Sequence, residues 1–151
     1  MMQVPASPRM LIVDDDPSIV RFLANRGAQL GFEVEVATDG LQALVMVGRS
    51  RPDLLIVDVK LPKVDGLSLC ACLVRNGVDG MLTIVISGYE TPETIALCTA
   101  IGASFAKKGP NLWADIEAAI VEAYPTVASR PTEPEALRSA QQRFTHRKGT
   151  R

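Results

Sequence analysis

Residues 52–66 read PDLLIVDVKLPKVDG, and this stretch decides the fold. Four large aliphatic residues, 54–57, lie between two prolines, which is the pattern of a strand buried on both faces of a parallel sheet. Asp58 follows at once, and a charge of this kind is too costly to bury without a partner. The sequence therefore places Asp58 at the C-terminal edge of the sheet, where α/β proteins bind their ligands.

A second acidic cluster, Asp14-Asp15-Asp16, follows the apolar run at residues 10–13 in the same way. Asp16 and the proline after it are typical of a helix start, but capping does not explain the other two acids. If the two strands are neighbours, Asp14 and Asp15 converge on Asp58. Two such charges about 5 Å apart repel by roughly 3 kcal/mol at an effective dielectric near 20. This arrangement favours a divalent cation with oxygen ligands, Mg²⁺ or Mn²⁺.

Length and composition indicate one soluble globular domain: the chain has 151 residues, 47% hydrophobic and 22% charged. No apolar run is long enough for a membrane span, and the N-terminus lacks the apolar segment of a secretory signal, so we expect a cytoplasmic protein without membrane contact. The cysteines, Cys70, Cys72 and Cys98, are odd in number and are predicted to be reduced.

Charge is distributed unevenly along the chain. Residues 1–124 carry 10 basic and 15 acidic residues, whereas residues 125–151 carry six basic and two acidic ones. We therefore predict a short N-terminal extension at residues 1–8, a folded domain at residues 9–124, and a basic, partly disordered tail at residues 125–151. Within the tail, residues 133–144 have the pattern of a short helix.

Strand and helix patterns alternate through the domain. Five such units predict an α/β fold: a doubly wound, five-stranded parallel sheet of flavodoxin-like order 2-1-3-4-5 with helices on both faces. In this order the first and third strands are neighbours, as the carboxylates require. The predicted strands are 10–14, 33–37, 53–58, 82–87 and 104–107, and the predicted helices are 17–30, 40–49, 67–76, 92–101 and 112–124.

Two features exclude other classes of function. The first turn between strand and helix is acidic rather than glycine-rich, so it would repel the pyrophosphate of a nucleotide. The single histidine, His146, lies in the tail, which leaves the domain without histidine acid–base chemistry. The predicted chemistry is that of carboxylates with a metal ion.

Over about residues 8–124 the chain resembles the receiver domain of two-component response regulators, in particular the chemotaxis-regulator type. The resemblance is carried by several short motifs that lie in order at the ends of the predicted strands. These motifs are Leu11 to Pro17, Thr38-Asp39-Gly40 with Ala43-Leu44, Asp58 to Pro62 with Asp65-Gly66, Ile86-Ser87-Gly88, Gly102-Ala103, and Phe105 with Lys108.

The resemblance implies that Asp58 is the phosphoacceptor, receiving a phosphoryl group from a histidine kinase or a phosphotransfer protein. It implies a metal site for Mg²⁺ or Mn²⁺ formed by Asp15, Asp58 and the backbone carbonyl of Lys60, with Asp14 contributing through water or hydrogen bonds. No enzymatic activity is expected beyond metal-dependent self-phosphorylation and autodephosphorylation.

The same resemblance implies roles for residues after the fourth and fifth strands. Ser87 and Lys108 would contact phosphoryl oxygens, and Gly88 would leave room for the group. Ser87 and Phe105 would form the switch, with Phe105 moving from an exposed to a buried position and so changing the surface of the fourth helix, fifth strand and fifth helix. Independently of the resemblance, we hypothesise that Lys60, two residues after Asp58, changes the lifetime of the phosphoryl group, and we name Tyr89 as a further modulating residue.

The chain departs from the family pattern near its fifth strand. Only Ser104 separates the Gly-Ala pair from Phe105, one residue fewer than usual, and Gly109 replaces the usual proline after the lysine. The sequence therefore leaves open whether Lys107 or Lys108 is the active-site lysine.

Three functions fit these features. The first is a stand-alone receiver, monomeric or dimerising on phosphorylation, that binds a downstream protein or relays the phosphoryl group without contacting nucleic acid. The second is a small DNA-directed regulator that uses the basic tail. The third is a haloacid-dehalogenase-like phosphatase with Asp14 as nucleophile, a hypothesis that gives Asp58 no role.

Overall fold

The computed structural model describes residues 7–125. The first six residues of the predicted N-terminal extension, the basic tail after Pro125, and the helix predicted at residues 133–144 lie outside the described residues. Within residues 7–125, no helix is long and apolar enough to cross a membrane.

Five parallel strands form one sheet in the order β2-β1-β3-β4-β5, so the predicted fold is confirmed. Every predicted boundary lies within one residue of the observed one. The strands are β1 (Arg9–Val13), β2 (Glu33–Ala37), β3 (Leu54–Asp58), β4 (Leu82–Ser87) and β5 (Ser104–Lys107), and the helices are α1 (Pro17–Gln29), α2 (Gly40–Arg49), α3 (Gly66–Arg75), α4 (Pro92–Ile101) and α5 (Leu112–Ala123).

The sheet has an apolar core on each face because its strands are buried on both sides. Helices α1 and α5 cover one face through residues such as Leu23 and Ile116, which pack with Ile56 of β3. Helices α2, α3 and α4 cover the other face, where Leu69 packs with Leu55. Side chains that alternate along each strand therefore belong to different cores.

Side chains cap four of the helices at their N-termini. The carboxylates of Asp16, Asp39 and Asp65 accept hydrogen bonds from backbone amides at 2.9, 2.7 and 2.9 Å, and the Thr91 hydroxyl does so at 3.1 Å. Asn111, the residue before α5, makes no such bond. Its backbone (φ −98°, ψ 7°) does not have the extended conformation that an N-cap normally adopts.

The helices also determine the surroundings of Phe22 and of the three cysteines. Phe22 of α1 is 39% exposed, and the Arg26 guanidinium lies 5.5 Å from its ring centroid. Cys70 and Cys98 are buried in the core, whereas Cys72 is half-buried. Burial raises the pKa of the Cys70 thiol to about 12, which keeps it protonated and unreactive.

Candidate functional site

The C-terminal edge of the sheet brings together the acids that the sequence singled out. Asp58 is the last residue of β3, and Asp14 and Asp15 follow the neighbouring strand β1, whose Val13 pairs with Val57. One carboxylate oxygen from each of the three acids lies within 4.8 Å of the others. Asp14 and Asp58 are 0% and 6% exposed, whereas Asp15 is open to solvent.

Lys108 is the cation of this cluster. Its Nζ lies 2.9 Å from Asp14 Oδ2 and 3.0 Å from Asp58 Oδ2. The backbone amide of Lys108 donates to the Ser87 carbonyl at 2.8 Å, so the residue stays beside β4 after β5 has ended. Lys107 is exposed and pairs with Ser87 in the strand register. The structure thus places Lys108, and not Lys107, among the carboxylates.

Strand alternation explains which lysine reaches the site. Ala106 belongs to the core under α1 and α5, and Phe105 packs against the core on the opposite face. A residue two positions after Ala106 points to the same face as Ala106, and this residue is Lys108. In the same way, Asp14 lies two positions after Ile12 of β1, and Asp58 lies two positions after Ile56 of β3. Both isoleucines belong to the core under α1 and α5.

The charges of the cluster are imbalanced in a way that favours a further cation. Burial raises the pKa of Asp58; the Lys108 contact opposes this effect and the nearby Asp14 adds to it. Burial alone would lower the pKa of Lys108, but its contacts with the two carboxylates raise it. One ammonium thus faces two buried carboxylates, and an exposed third carboxylate is nearby.

Asp14 carries the clearest sign of an open coordination position. Its Oδ1 accepts a hydrogen bond from the Asp16 amide at 2.9 Å. Its Oδ2 is buried and lies 2.9 Å from the Lys108 ammonium, and among the described residues it has no other polar partner. Two buried carboxylates that share a single ammonium are only partly compensated. The carboxylates around it are the ligands of a hard divalent cation such as Mg²⁺.

The segment after β3 approaches the same carboxylates. The backbone amide of Lys60 lies 3.4 Å from Asp58 Oδ1. The exposed Lys60 side chain extends over the ring of Tyr89, with Nζ 4.9 Å from the ring centroid. This contact between two segments that follow different strands was not foreseen from the sequence, because it depends on the paths of both loops.

Ser87, Gly88 and Phe105 lie around the end of β4. Ser87 is 6% exposed, and its Oγ accepts a hydrogen bond from the Tyr89 amide at 3.1 Å, which leaves the hydroxyl proton free to donate. Gly88 is exposed, and a Cβ built there would have no atom within 4 Å. Phe105 is half-buried rather than exposed, because it packs against the core under α2, α3 and α4.

Comparisons with known proteins agree with this geometry. The sequence profile described as the response regulator receiver domain matches residues 10–108. The chain is 39% identical over 88 residues to the response regulator MprA of Mycobacterium leprae, and 37% identical over 90 residues to that of Mycobacterium tuberculosis. These matches cover 58% and 60% of this chain but only 39% of each relative, so the chain spans well under half of their length.

Solved structures show the same architecture. Chemotaxis protein CheY4 of Vibrio cholerae is 26% identical with a TM-score of 0.69, over 78% of this chain and 99% of that one. A CheY-like receiver domain protein of Methanospirillum hungatei is 27% identical with a TM-score of 0.70, over 78% and 94% of the two chains. The fold and the acidic edge therefore define a CheY-like phosphoacceptor domain of the two-component class. The chain belongs to the response regulator receiver domain family.

Proposed function

We propose that Asp58 accepts a phosphoryl group from the phosphohistidine of a histidine kinase or of a phosphotransfer protein. One observation carries this proposal: Asp14, Asp15 and Asp58 meet at the end of two neighbouring strands, with the Lys108 ammonium 3.0 Å from Asp58. Because family membership is established, this hypothesis is favoured over a phosphatase in which Asp14 is the nucleophile.

In the proposed transfer, a carboxylate oxygen of Asp58 forms a bond to phosphorus. The bond between phosphorus and the donor's imidazole nitrogen breaks, and its electron pair stays on that nitrogen. Asp15, Asp58 and the Lys60 carbonyl would hold Mg²⁺ or Mn²⁺, with Asp14 acting directly or through water. When bound, the metal would neutralise charge on the phosphoryl oxygens, which is the main requirement of such a loose transition state.

Protein groups around Asp58 would then stabilise the acyl phosphate. Lys108 would contact one phosphoryl oxygen as a point charge. The Ser87 hydroxyl, whose proton is not used by the Tyr89 amide, would donate to another. The open space at Gly88 would accommodate the group.

The proposed output is a change in the surface formed by α4, β5 and α5, which a downstream protein or a second copy of the chain would recognise. Ser87 and Phe105 lie on one face of adjacent strands, since Phe105 pairs with Val85 two residues before Ser87. Helix α4 is weakly anchored: Cys98 is its one buried residue, and Leu97 is 50% exposed. A new contact at Ser87 could therefore shift the balance between two packings of α4.

Lys60 and Tyr89 are proposed to set how long the phosphoryl group survives. Their cation–π contact joins the segments that follow β3 and β4, next to the Asp58 carboxylate. Such a bridge would restrict the approach of water to the acyl phosphate. Lys60→Ala is expected to change the autodephosphorylation rate several-fold, whereas Lys107→Ala, which alters an exposed lysine outside the cluster, is expected to leave it unchanged. Equal rates in all three proteins would contradict this role.

The receiver domain is proposed to comprise residues 9–124. Its last residue is well anchored, since Tyr124 is 3% exposed and its hydroxyl donates to the Asp53 carbonyl at 3.1 Å. A chain truncated after Pro125 is expected to be phosphorylated at the same rate as the full chain. A large loss of rate would show that the tail takes part in the reaction.

Labelling with a small phosphodonor tests the phosphoacceptor directly. The wild-type chain is incubated with acetyl phosphate and Mg²⁺, and its intact mass is measured. We expect addition of one phosphoryl group to the wild type in Mg²⁺, and no addition when Mg²⁺ is chelated beforehand or when Asp58 is replaced in Asp58→Asn. Asp16→Asn is the matched control because asparagine still caps α1. Label that persists in Asp58→Asn but disappears in Asp14→Asn would instead support the phosphatase mechanism.

A further inference from the structure

The corner formed by Asp39 and Gly40 contributes no group to the acidic cluster, yet it contacts the loop whose Lys60 amide approaches Asp58. We propose that this corner, at the start of α2, is a positioning element for the phosphoacceptor site. It holds the β3–α3 loop, residues 59–65, so that the Lys60 backbone faces Asp58. The inference rests on the proposed function, because it assigns the loop a part in metal binding.

Gly40 approaches the loop as only glycine can. A Cβ built on Gly40 would overlap the Val64 carbonyl oxygen and would lie 2.8 Å from Val64 Cβ. The Gly40 amide faces the Pro62 carbonyl at 3.4 Å. To reach an ordinary carbon–oxygen contact with any larger residue, the loop would have to move by about 1 Å.

The two ends of the loop cannot absorb such a movement. At the start, the Val59 amide donates to the Ile86 carbonyl at 3.0 Å, and at the end the Gly66 amide donates to the Val59 carbonyl at 2.9 Å. A Cβ on Gly66 would overlap the Asp58 carbonyl oxygen. Displacement of Val64 would therefore pass into the middle of the loop.

The middle of the loop holds an unfavourable conformation. Lys63 is the one described residue other than glycine with a positive φ, at 68°. The Val64 amide donates to the Pro62 carbonyl at 2.8 Å and closes a three-residue turn around it. Strained turns persist where their surroundings hold them. Here Asp39 does so, since it caps α2 through the Gln42 amide at 2.7 Å and pairs with Lys63 at 3.5 Å.

The loop reaches the reacting carboxylate through its second residue. The Lys60 amide lies 3.4 Å from Asp58 Oδ1. The proposed metal ligand is the carbonyl of the same residue, so both groups move when the loop moves. Substitution of residues that contact and orient the metal ligands typically changes metal affinity 10- to 100-fold.

Gly40→Ala tests the inference against two other glycine substitutions. Gly48 lies in the same helix, and a Cβ there would have no atom within 4 Å. Gly27, in α1 on the opposite face of the sheet, is crowded, because its Cβ would lie 2.8 Å from Met10 Cε. Gly48→Ala controls for the added methyl group, and Gly27→Ala controls for crowding of a helical glycine away from the loop.

The readouts are Mg²⁺ affinity by calorimetric titration and amide hydrogen exchange of residues 60–64 without metal. We expect Gly40→Ala to weaken Mg²⁺ binding about 10- to 100-fold and to speed exchange in the loop. Gly48→Ala should match the wild type in both. Gly27→Ala should keep the wild-type Mg²⁺ affinity and loop exchange.

Substitution of Lys63 supplies a second test that is independent of the folding of Gly40→Ala. Lys63→Gly and Lys63→Val both remove the ammonium that pairs with Asp39, but valine strongly disfavours a positive φ and glycine does not. Lys63→Val should bind Mg²⁺ at least several-fold more weakly than Lys63→Gly. Equal affinities in the two variants would contradict the role of the turn.

The possible failures are distinguishable. If the wild type binds no Mg²⁺, both the proposed function and this inference are overturned. If the wild type binds Mg²⁺ and Gly40→Ala binds it equally well, the inference alone is overturned. A weakening in Gly27→Ala as large as in Gly40→Ala would likewise overturn it, since general destabilisation would then explain both.

Discussion

An aspartate lies at each end of β3, but the two aspartates differ in how many of their polar atoms have partners. Asp53 precedes the strand, and its neighbours satisfy it: its carboxylate accepts from the Arg9 amide at 2.8 Å, and its carbonyl accepts from the Leu82 amide at 2.9 Å and the Tyr124 hydroxyl at 3.1 Å. Asp53 therefore ties β1, β4 and α5 together at the N-terminal edge of the sheet.

Asp58, at the other end, is not satisfied in this way. It is buried beside a second carboxylate, Asp14, and shares one ammonium with it. Burial, opposed by Lys108 and reinforced by Asp14, raises its pKa. The polar groups of Asp53 are hydrogen-bonded and so stabilise the fold, whereas Asp58 and Asp14 share one cation and so favour the binding of a ligand.

Removal of Lys108 should give the largest effect. Lys108→Ala would leave two buried carboxylates without their cation, and breaking such a pair costs several kcal/mol when it is fully buried. Because the Lys108 side chain is 22% exposed, we expect a loss of about 2 kcal/mol in the metal-free free energy of unfolding. Urea denaturation measures it. Lys107→Ala is the control, with a change expected within about 0.5 kcal/mol.

Substitution of the two aspartates should change stability in opposite directions. Asp58→Asn removes a charge that the folded protein disfavours, so the metal-free variant should be more stable than the wild type. Asp53→Ala removes the hydrogen bond from Arg9 and should cost about 1 kcal/mol. Both are compared by denaturation in the presence of a chelator. A destabilised Asp58→Asn would contradict the assigned imbalance of charge.

The pH dependence of stability should show the same contrast. Folding raises the pKa of Asp58, so the ionised carboxylate stabilises the folded state less than the protonated carboxyl group does. The contribution of Asp58 to stability falls as the pH rises from the unfolded-state value of about 3.9 through the folded pKa. The difference in unfolding free energy between wild type and Asp58→Asn, measured without metal, should widen across that interval. A constant difference would show that Asp58 has an ordinary pKa.

Tyr124→Phe should have the smallest effect. It removes one hydrogen bond, to the Asp53 carbonyl, and should lower the free energy of unfolding by about 0.5–1 kcal/mol. Labelling by acetyl phosphate should be unchanged, because the bond lies at the opposite edge of the sheet from Asp58. A loss of labelling would mean that the two ends of β3 are coupled.

The fold and the acidic residues of the site could be predicted from the sequence, because each depends on a local pattern. Apolar runs set the strands, and an acid directly after a buried strand can lie only at its edge. Alternation along β5 also contains the information that places Lys108 rather than Lys107 in the cluster. The departure of the loop from the family pattern obscured that information.

Features that depend on the path of a loop could not be predicted in this way. The approach of Gly40 to Val64 and the contact of Lys60 with Tyr89 join segments that are distant in sequence. The half-buried state of Phe105 depends on how α4 packs over it. The missing cap at Asn111 follows from its backbone conformation, which residue preference alone does not specify.

Residue-level mapping of the phosphoryl group tests the central claim most directly. Trypsin should release residues 50–60 as one peptide, because Arg51 is followed by Pro52 and resists cleavage. The peptide contains both Asp53 and Asp58. After labelling in Mg²⁺, borohydride reduction converts the acyl phosphate to homoserine, which fragmentation spectra locate. We predict homoserine at position 58 and aspartate at position 53; homoserine at 53, at 14 or at any other acid would contradict the account.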